Sequence, residues 1–380
     1  MSVSVPFYRH DLGGPELDGI AEVLRGPILT TGDTVSMFEA AFAGYLGRRH
    51  ALGVTSCTGA MHMALLALGI GPGDEVITTP MTFIATAAAI LEAGAKPVFV
   101  DVEPHTGNID ANLVEAAITP RTRAILPVHL YGLLCDMRAL RAIADKHGLA
   151  IVEDAAHCVE GIRDGVRPGA LSNAACFSFY ATKNLTCGEG GALTTDDPAL
   201  LESLRMLRLH GMTKSAADRH REGYQHWDMK MLGWKYNMDN IQAAMLIPQL
   251  QRLDSKLPRR EKLAAMYGER LGQLNWLQIP GVPQDVVHAR HLFPVWVDAP
   301  LRDAMIQGLQ QRGIQTVVNY RAIHLTTYLQ TQLGYKAGDF PVAESIGDRT
   351  LSLPYYPDMP EQHIDIVCDA MKSIAAQSRT

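Results

Sequence analysis

The chain has 380 residues, with 34 Lys and Arg against 40 Asp and Glu for a formal net charge of -6, and 47% of its residues are hydrophobic. That length supports two domains, or one large domain with an appendage, and a core that needs neither metal nor disulfide to form. A mildly acidic chain has no basic field for nucleic acid or for an anionic membrane surface, so neither is expected as a partner.

The opening stretch MSVSVPFYRHDLGG carries Arg9, His10 and Asp11 and lacks the apolar core of a signal peptide. No later run reaches the ~18 apolar residues of a membrane helix, and a cytoplasmic location is expected. From about residue 50 to 200, short β-prone apolar runs alternate with amphipathic stretches, the pattern of a parallel sheet covered by helices. Strands are predicted at Ala51–Thr55, Glu75–Thr79, Pro97–Asp101, Ala124–His129, Ala150–Asp154, Ala175–Tyr180 and Gly191–Thr195. Helices are predicted between them at Gly59–Leu68, Ile84–Ala93, Leu113–Ala117, Met137–His147 and Pro198–Leu209. After residue 210 comes a polar and aromatic segment without periodicity, a texture that is usually functional or flexible. A helix is then expected from Asp239, which with Gln242 has the spacing of a capping box, and Pro248 is expected to kink it. Beyond it the pattern predicts a helix over Arg259–Leu271, a strand over His291–Val297, a helix over Arg302–Gln311, a strand over Gln315–Asn319 and a final helix from Glu361. The expected division is a large domain over 1–250 and a smaller one over 251–380, with the N-terminal segment packing on the latter. The six cysteines sit singly in apolar segments without zinc-ligand spacing, so reduced core thiols and no metal are expected.

Three segments carry chemistry. In FSFYATKNLTCGEGG, an apolar strand runs into Lys183 and a glycine-rich turn. Desolvation at such a place lowers a lysine's pKa and frees its amine for Schiff-base chemistry. In LAIVEDAAH, a strand delivers Asp154 at its C-terminal end with His157 three residues on; the carboxyl ends of strands line the ligand crevice of open α/β sheets. A carboxylate there suits a pyridine nitrogen that must stay protonated, although an Asp in that place also serves as a helix cap or turn former. In GVTSCTGAMHMALLALG, a strand, a small-residue turn and a helix start near Thr58 or Gly59 offer backbone N–H groups to a phosphate, although the same features occur at many βα junctions that bind nothing. Neither a P-loop nor a dinucleotide fingerprint is present, and Gly69, Gly71 and Gly73 read as a turn. His129, in PVHLYG, reads as a hydrogen-bonded structural histidine.

Together with GPILTTG (26–32), GDEVITTPMTFIAT, PVFVDV, ILPVHLYG, KYNMDNIQAA and LSLPYYPDM, these segments resemble the DegT/StrS-type nucleotide-sugar aminotransferases. These are members of the fold-type I superfamily dependent on pyridoxal 5'-phosphate (PLP), and the resemblance spans nearly the whole chain. It implies an α/β fold with a mainly parallel seven-stranded sheet in the large domain and a smaller α+β C-terminal domain. It implies that Lys183 forms the Schiff base with the cofactor and moves protons. Asp154 would pair with the pyridinium, His157 would lie near the phenolic oxygen, and Phe83 would stack on the ring. Thr58, Gly59 and Ser178 would bind the phosphate, and Asn237 would reach the phosphate of a neighbouring subunit, making the enzyme a homodimer with shared sites. Residues 212–236 would be interface and substrate loop, and Tyr180, Tyr320, Arg321 and His324 would contact the substrate. The implied reaction moves the amino group of L-glutamate onto the 4-keto carbon of a nucleotide-linked sugar, a UDP-linked 6-deoxy hexose being preferred for surface-glycan or lipopolysaccharide synthesis. UDP-4-amino-4-deoxy-L-arabinose formation, transamination of a carbocyclic ketone and a non-enzymatic PLP-binding regulator are the alternatives.

Overall fold

The computed structural model describes residues 4–213 and 226–378. The middle of the segment read as an interface and substrate loop, 214–225, lies outside the described residues. Seven strands form one sheet: β1 (His50–Val54), β2 (Glu75–Thr78), β3 (Lys96–Phe99), β4 (Thr122–Ile125), β5 (Ala150–Asp154), β7 (Ala174–Ser178) and β8 (Gly191–Thr195); β6 (Ile162–Arg163) lies outside it. The spatial order is β1-β8-β7-β5-β4-β2-β3, parallel throughout except for β8, which runs antiparallel to both neighbours.

The near-continuous apolar runs of these strands follow from burial on both faces. Because side chains alternate, neighbouring residues feed opposite layers. Cys176 and Leu193 pack with α3 (Cys57–Ala67), α4 (Ile84–Glu92) and α7 (Pro198–Leu207). Phe177 and Ala192 pack with α2 (Asp33–Leu46) and α8 (Asn240–Arg252) on the other side. There Phe42 meets Phe177 edge-on at 5.0 Å, a geometry that the ring quadrupoles favour.

Helix α8 opens with the predicted capping box, in which the Gln242 N–H donates to Asp239 Oδ1 at 2.8 Å. It runs on through Pro248, which has no N–H to offer the carbonyl of Ala244. That freed carbonyl faces Gly19 of α1 (Gly14–Arg25), where even a Cβ would approach it to 3.0 Å.

A second, antiparallel sheet has β9 (Leu277–Gln278) and β12 (Thr350–Leu353) flanking β11 (Phe293–Val297), and β10 (Val286–Val287) forms a separate two-stranded pair with β6. Helices α9 (Leu257–Leu271), α10 (Ala299–Gln311) and α13 (Glu361–Gln377) cover it in a cluster that also contains Val5. The strand expected over Gln315–Asn319 is not formed. Isolated bridges of Ile314 to Val5 and of Val317 to Ser352 stand in its place, because that chain leaves the sheet to line the cavity described below. All six cysteines are buried free thiols. Among the described residues no helix is long and apolar enough to cross a membrane.

Candidate active site

A cavity of about 570 Å³ opens at the C-terminal ends of the parallel strands, within the size range of small-molecule sites and at the edge where open α/β sheets bind ligands. Residues at or after the ends of four strands line it: Ser56, Cys57 and Thr58 after β1, Thr82 and Phe83 after β2, Asp154 at the end of β5, and Ser178 at the end of β7. The far wall comes from Phe7, His291, Leu292, Val317, Asn319 and Tyr320.

Lys183 lies between these walls. Burial pushes its ammonium down to about 8 from an ordinary 10.5, and the charge of Asp154 offsets part of that shift. The Asp154 carboxylate is buried and receives only neutral donors: Thr86 Oγ1 at 2.8 Å, the Ala156 N–H at 3.1 Å and, at 3.8 Å, the Cys57 thiol. His157 Nδ1 accepts the Tyr131 N–H at 3.2 Å. Burial and the Lys183 charge hold its pKa well below 6.5, so the ring is neutral with its proton on Nε2. That nitrogen lies 3.2 Å from the Tyr320 hydroxyl.

Cys57 begins α3, with Ser56 as N-cap; the helix starts one to two residues earlier than its sequence suggests. The Ser56 hydroxyl accepts the Gly59 N–H at 3.0 Å. The Gly59 N–H, expected at the phosphate, is thus engaged within the turn and Gly59 is outside the cavity lining, whereas Cys57 and Thr58 of the first turn are part of it. Gly59 instead admits Tyr236, whose ring a Cβ would meet at 3.2 Å. Across this turn sits Gly191, where a Cβ would come within 2.5 Å of the Ser56 carbonyl carbon and 2.6 Å of the Cys57 nitrogen. Gly191, the last glycine of GEGG, therefore lets β8 approach the helix N-terminus.

Thr58, Phe83, Asp154, His157, Ser178, Tyr180, Lys183 and Tyr320 all line the cavity. Phe83 and Tyr180 remain 56% and 48% exposed at its rim. Two expected substrate residues are not brought in. His324 is fully buried, bonded to Glu344 at 3.0 Å and packed edge-on against Phe340. Arg321 is exposed and outside the lining. Asn237 also lies outside its own chain's cavity; its amide donates to Thr31 Oγ1 at 2.6 Å and its carbonyl receives Lys235. It thereby ties KYNMDN to the early GPILTTG segment, which Asn240 also grips through the Ile28 carbonyl at 2.9 Å. His129 is structural, as expected, with Nε2 2.7 Å from Glu153 in the core.

One residue escaped the sequence. His291 is buried just before β11, with Nε2 3.4 Å from Lys183 Nζ, its ring centred 4.5 Å from that of His157, and its Nδ1 without a partner among the described residues. Only the pattern of a strand entering the second sheet marked its position, and nothing local tied it to a lysine 108 residues away.

These residues fit PLP. A buried carboxylate bonded only by neutral groups suits a cationic ring nitrogen, a desolvated lysine suits an aldehyde, and the open turn of α3 suits a phosphate. The fold and this site define a fold-type I PLP-dependent aminotransferase. The DegT/DnrJ/EryC1/StrS aminotransferase family pattern matches residues 11–372, and the chain belongs to that family. It is 44% identical over 376 residues to the spore coat polysaccharide biosynthesis protein SpsC of Bacillus subtilis, covering 97% of each chain. Its structure superposes on DesV of S. venezuelae with a TM-score of 0.91 at 40% identity, covering 98% of each chain. With the PLP form of Spr1654 from Streptococcus pneumoniae, a putative sugar aminotransferase, the TM-score is 0.92 at 28% identity, covering 99% of each chain.

Proposed function

We propose that this enzyme transfers the amino group of L-glutamate to the 4-keto carbon of a UDP-linked 4-keto-6-deoxy hexose, in the cytoplasm and as a homodimer. The observation that carries the reading is the buried, pKa-depressed Lys183 facing Asp154 across a cavity with room beyond them. The relationship to SpsC, named for polysaccharide biosynthesis, supports a sugar acceptor.

When bound, PLP supplies an aldehyde that takes up the amino group and a ring that withdraws electrons from the donor's Cα. Lys183 holds the cofactor at rest; once displaced, its Nζ takes the proton from the donor's Cα and later returns one to the acceptor carbon. Asp154 keeps a proton on the ring nitrogen. Neutral His157, fixed by the Tyr131 N–H and with its Nε2 beside the Tyr320 hydroxyl, would lie near the phenolic oxygen of the bound cofactor. Thr58, with Cys57 beside it, and Ser178 would hold the phosphate, and Phe83 would cover the ring. Asn237, outside the lining of its own cavity, would serve the phosphate site of a second subunit, and the exposed rim residues Phe83 and Tyr180 leave a surface for that subunit to cover. Tyr180 and Tyr320 flank the sugar.

A panel of UDP- and dTDP-linked 4-keto hexoses, a UDP-4-keto pentose and carbocyclic ketones, each with glutamate, tests this by mass spectrometry of the aminated product. Amination of the UDP-linked 6-deoxy hexose is expected to be fastest. A faster reaction of the pentose or of a ketone without a nucleotide would replace the sugar assignment, and a Lys183→Ala protein that still turns over repeatedly would end the mechanism.

A further inference from the structure

The segment that carries His291 is held on both sides, with no slack for that ring. The Ala289 N–H donates to the Gly132 carbonyl at 2.9 Å, and the Ala289 carbonyl accepts Asn184 Nδ2 at 2.8 Å. The His291 N–H donates to the Tyr131 carbonyl at 3.2 Å. Between them Arg290 adopts a left-handed backbone, φ 49°, which costs a non-glycine residue energy and persists only where its surroundings impose it. The His288 ring completes this turn by accepting the Arg290 N–H at 2.9 Å, and the Arg290 side chain is fixed to Glu261 at 3.0 Å. A strained residue braced at backbone and side chain therefore aims the next side chain into the cavity.

What it aims is a buried imidazole with one nitrogen on Lys183 Nζ and the other without a partner among the described residues. An unpartnered buried nitrogen costs about 1–3 kcal/mol, and a core that needed only volume there would be served by Leu or Phe. His157, the other histidine beside Lys183, already has both nitrogens committed, to the Tyr131 N–H and the Tyr320 hydroxyl. Asp154 is likewise engaged by Thr86 and Ala156. Among the described residues, His291 is thus the group within hydrogen-bonding distance of the lysine nitrogen.

We propose that His291 is a positioning residue for Lys183, accepting a hydrogen bond from Nζ on Nε2 and so fixing where the amine points its lone pair. This rests on the reading of Lys183 as the cofactor lysine. A long, unbranched side chain in a cavity of this size has several rotamers within reach, and holding one of them near the reactive geometry is worth orders of magnitude in rate. The same contact acts twice: when the amine condenses with the cofactor aldehyde, losing one water, and when the displaced amine waits to carry a proton.

The test compares His291→Phe, which keeps ring volume and removes the acceptor, with His291→Gln, whose amide oxygen reaches toward the place of Nε2. Apoprotein is titrated separately with PLP and with pyridoxamine phosphate, which uses the same ring and phosphate contacts but forms no bond to Lys183. For His291→Phe, capture of PLP, followed by its visible band, is expected to slow about 10-fold or more, while pyridoxamine phosphate affinity stays within about 2-fold. In the loaded enzyme kcat falls with KM little changed, and the isotope effect with α-deuterated glutamate rises as proton transfer becomes limiting. His291→Gln restores most of each. The proposal is overturned if His291→Phe captures PLP at the native rate, if both cofactor forms lose affinity equally, or if His291→Gln is no better than His291→Phe. Failure of the native protein to attach PLP at Lys183, read by borohydride reduction and peptide mass, would instead overturn the assignment of the lysine.

Discussion

Lys183 gives up the hydration of its ammonium, and the nearby charge of Asp154 replaces only part of it. Its pKa falls from 10.5 to about 8 in the folded chain, so between those values the unfolded chain binds the proton more tightly and apoprotein stability rises with pH. Below pH 8 the penalty is complete, about 3 kcal/mol for a shift of this size. Urea unfolding of Lys183→Met apoprotein is therefore expected to show a gain of about 2–3 kcal/mol over the native apoprotein at pH 7, shrinking toward pH 10. An unchanged difference across that range would contradict a buried, desolvated ammonium. Asp154→Asn keeps the shape that Thr86 and Ala156 recognise but removes the charge; both half-reactions are expected to slow about 100-fold in stopped-flow spectra, with PLP still retained. Lys183 and Asp154 were legible because Asp154 ends one apolar strand and Lys183 closely follows another, a local pattern. His291 was not, since its meaning comes from a contact across two sheets, and His324 misled because a histidine in a polar stretch gives no sign that it will turn inward onto Glu344.

At the scale of elements, the seven strands of the main sheet were readable from their apolar runs, although β4 stops at Ile125, short of its predicted end at His129. The second sheet was read less well: β9 has two residues and β12 is the short TLSL run before Pro354, so neither offers enough alternation to stand out. The start of α3 illustrates the coupling of elements around the cavity. Its N-cap is local, but its position depends on the missing side chain at Gly191 in β8. Gly191→Ala places a methyl against three backbone atoms rather than a flexible side chain. A loss of about 1–3 kcal/mol in stability and a weaker hold on pyridoxamine phosphate are expected together, since the turn that moves is the phosphate-facing one. Calorimetry that found stability lost with affinity intact would separate the two and refute the coupling.

Across the whole molecule, a buried ion pair joins the two sheets. Arg260 of α9 meets Glu160, both nearly inaccessible, and Asn184, next to Lys183, donates to the same carboxylate at 3.2 Å and to the Ala289 carbonyl. Glu160→Gln leaves the Arg260 charge buried without its counter-ion, and a cost of about 3–5 kcal/mol in denaturant unfolding is expected; a neutral result would show that Arg260 finds water or another partner. Nothing in the local sequence announces this pair, because its members are 100 residues apart. The reversed strand, β8, has a consequence of another kind. Ser178 and Gly191 are paired neighbours, so the stretch bearing Lys183 leaves and re-enters the sheet at one rung. Phe179 and Cys187 close it further, through N–H bonds to the carbonyls of Gly190 and Phe179. The lysine thus rides on a clasped ring rather than a lid, and the amide protons of Phe179 and Cys187, which close it, are expected to exchange with solvent only when β7 and β8 part, on the timescale of unfolding rather than of loop motion.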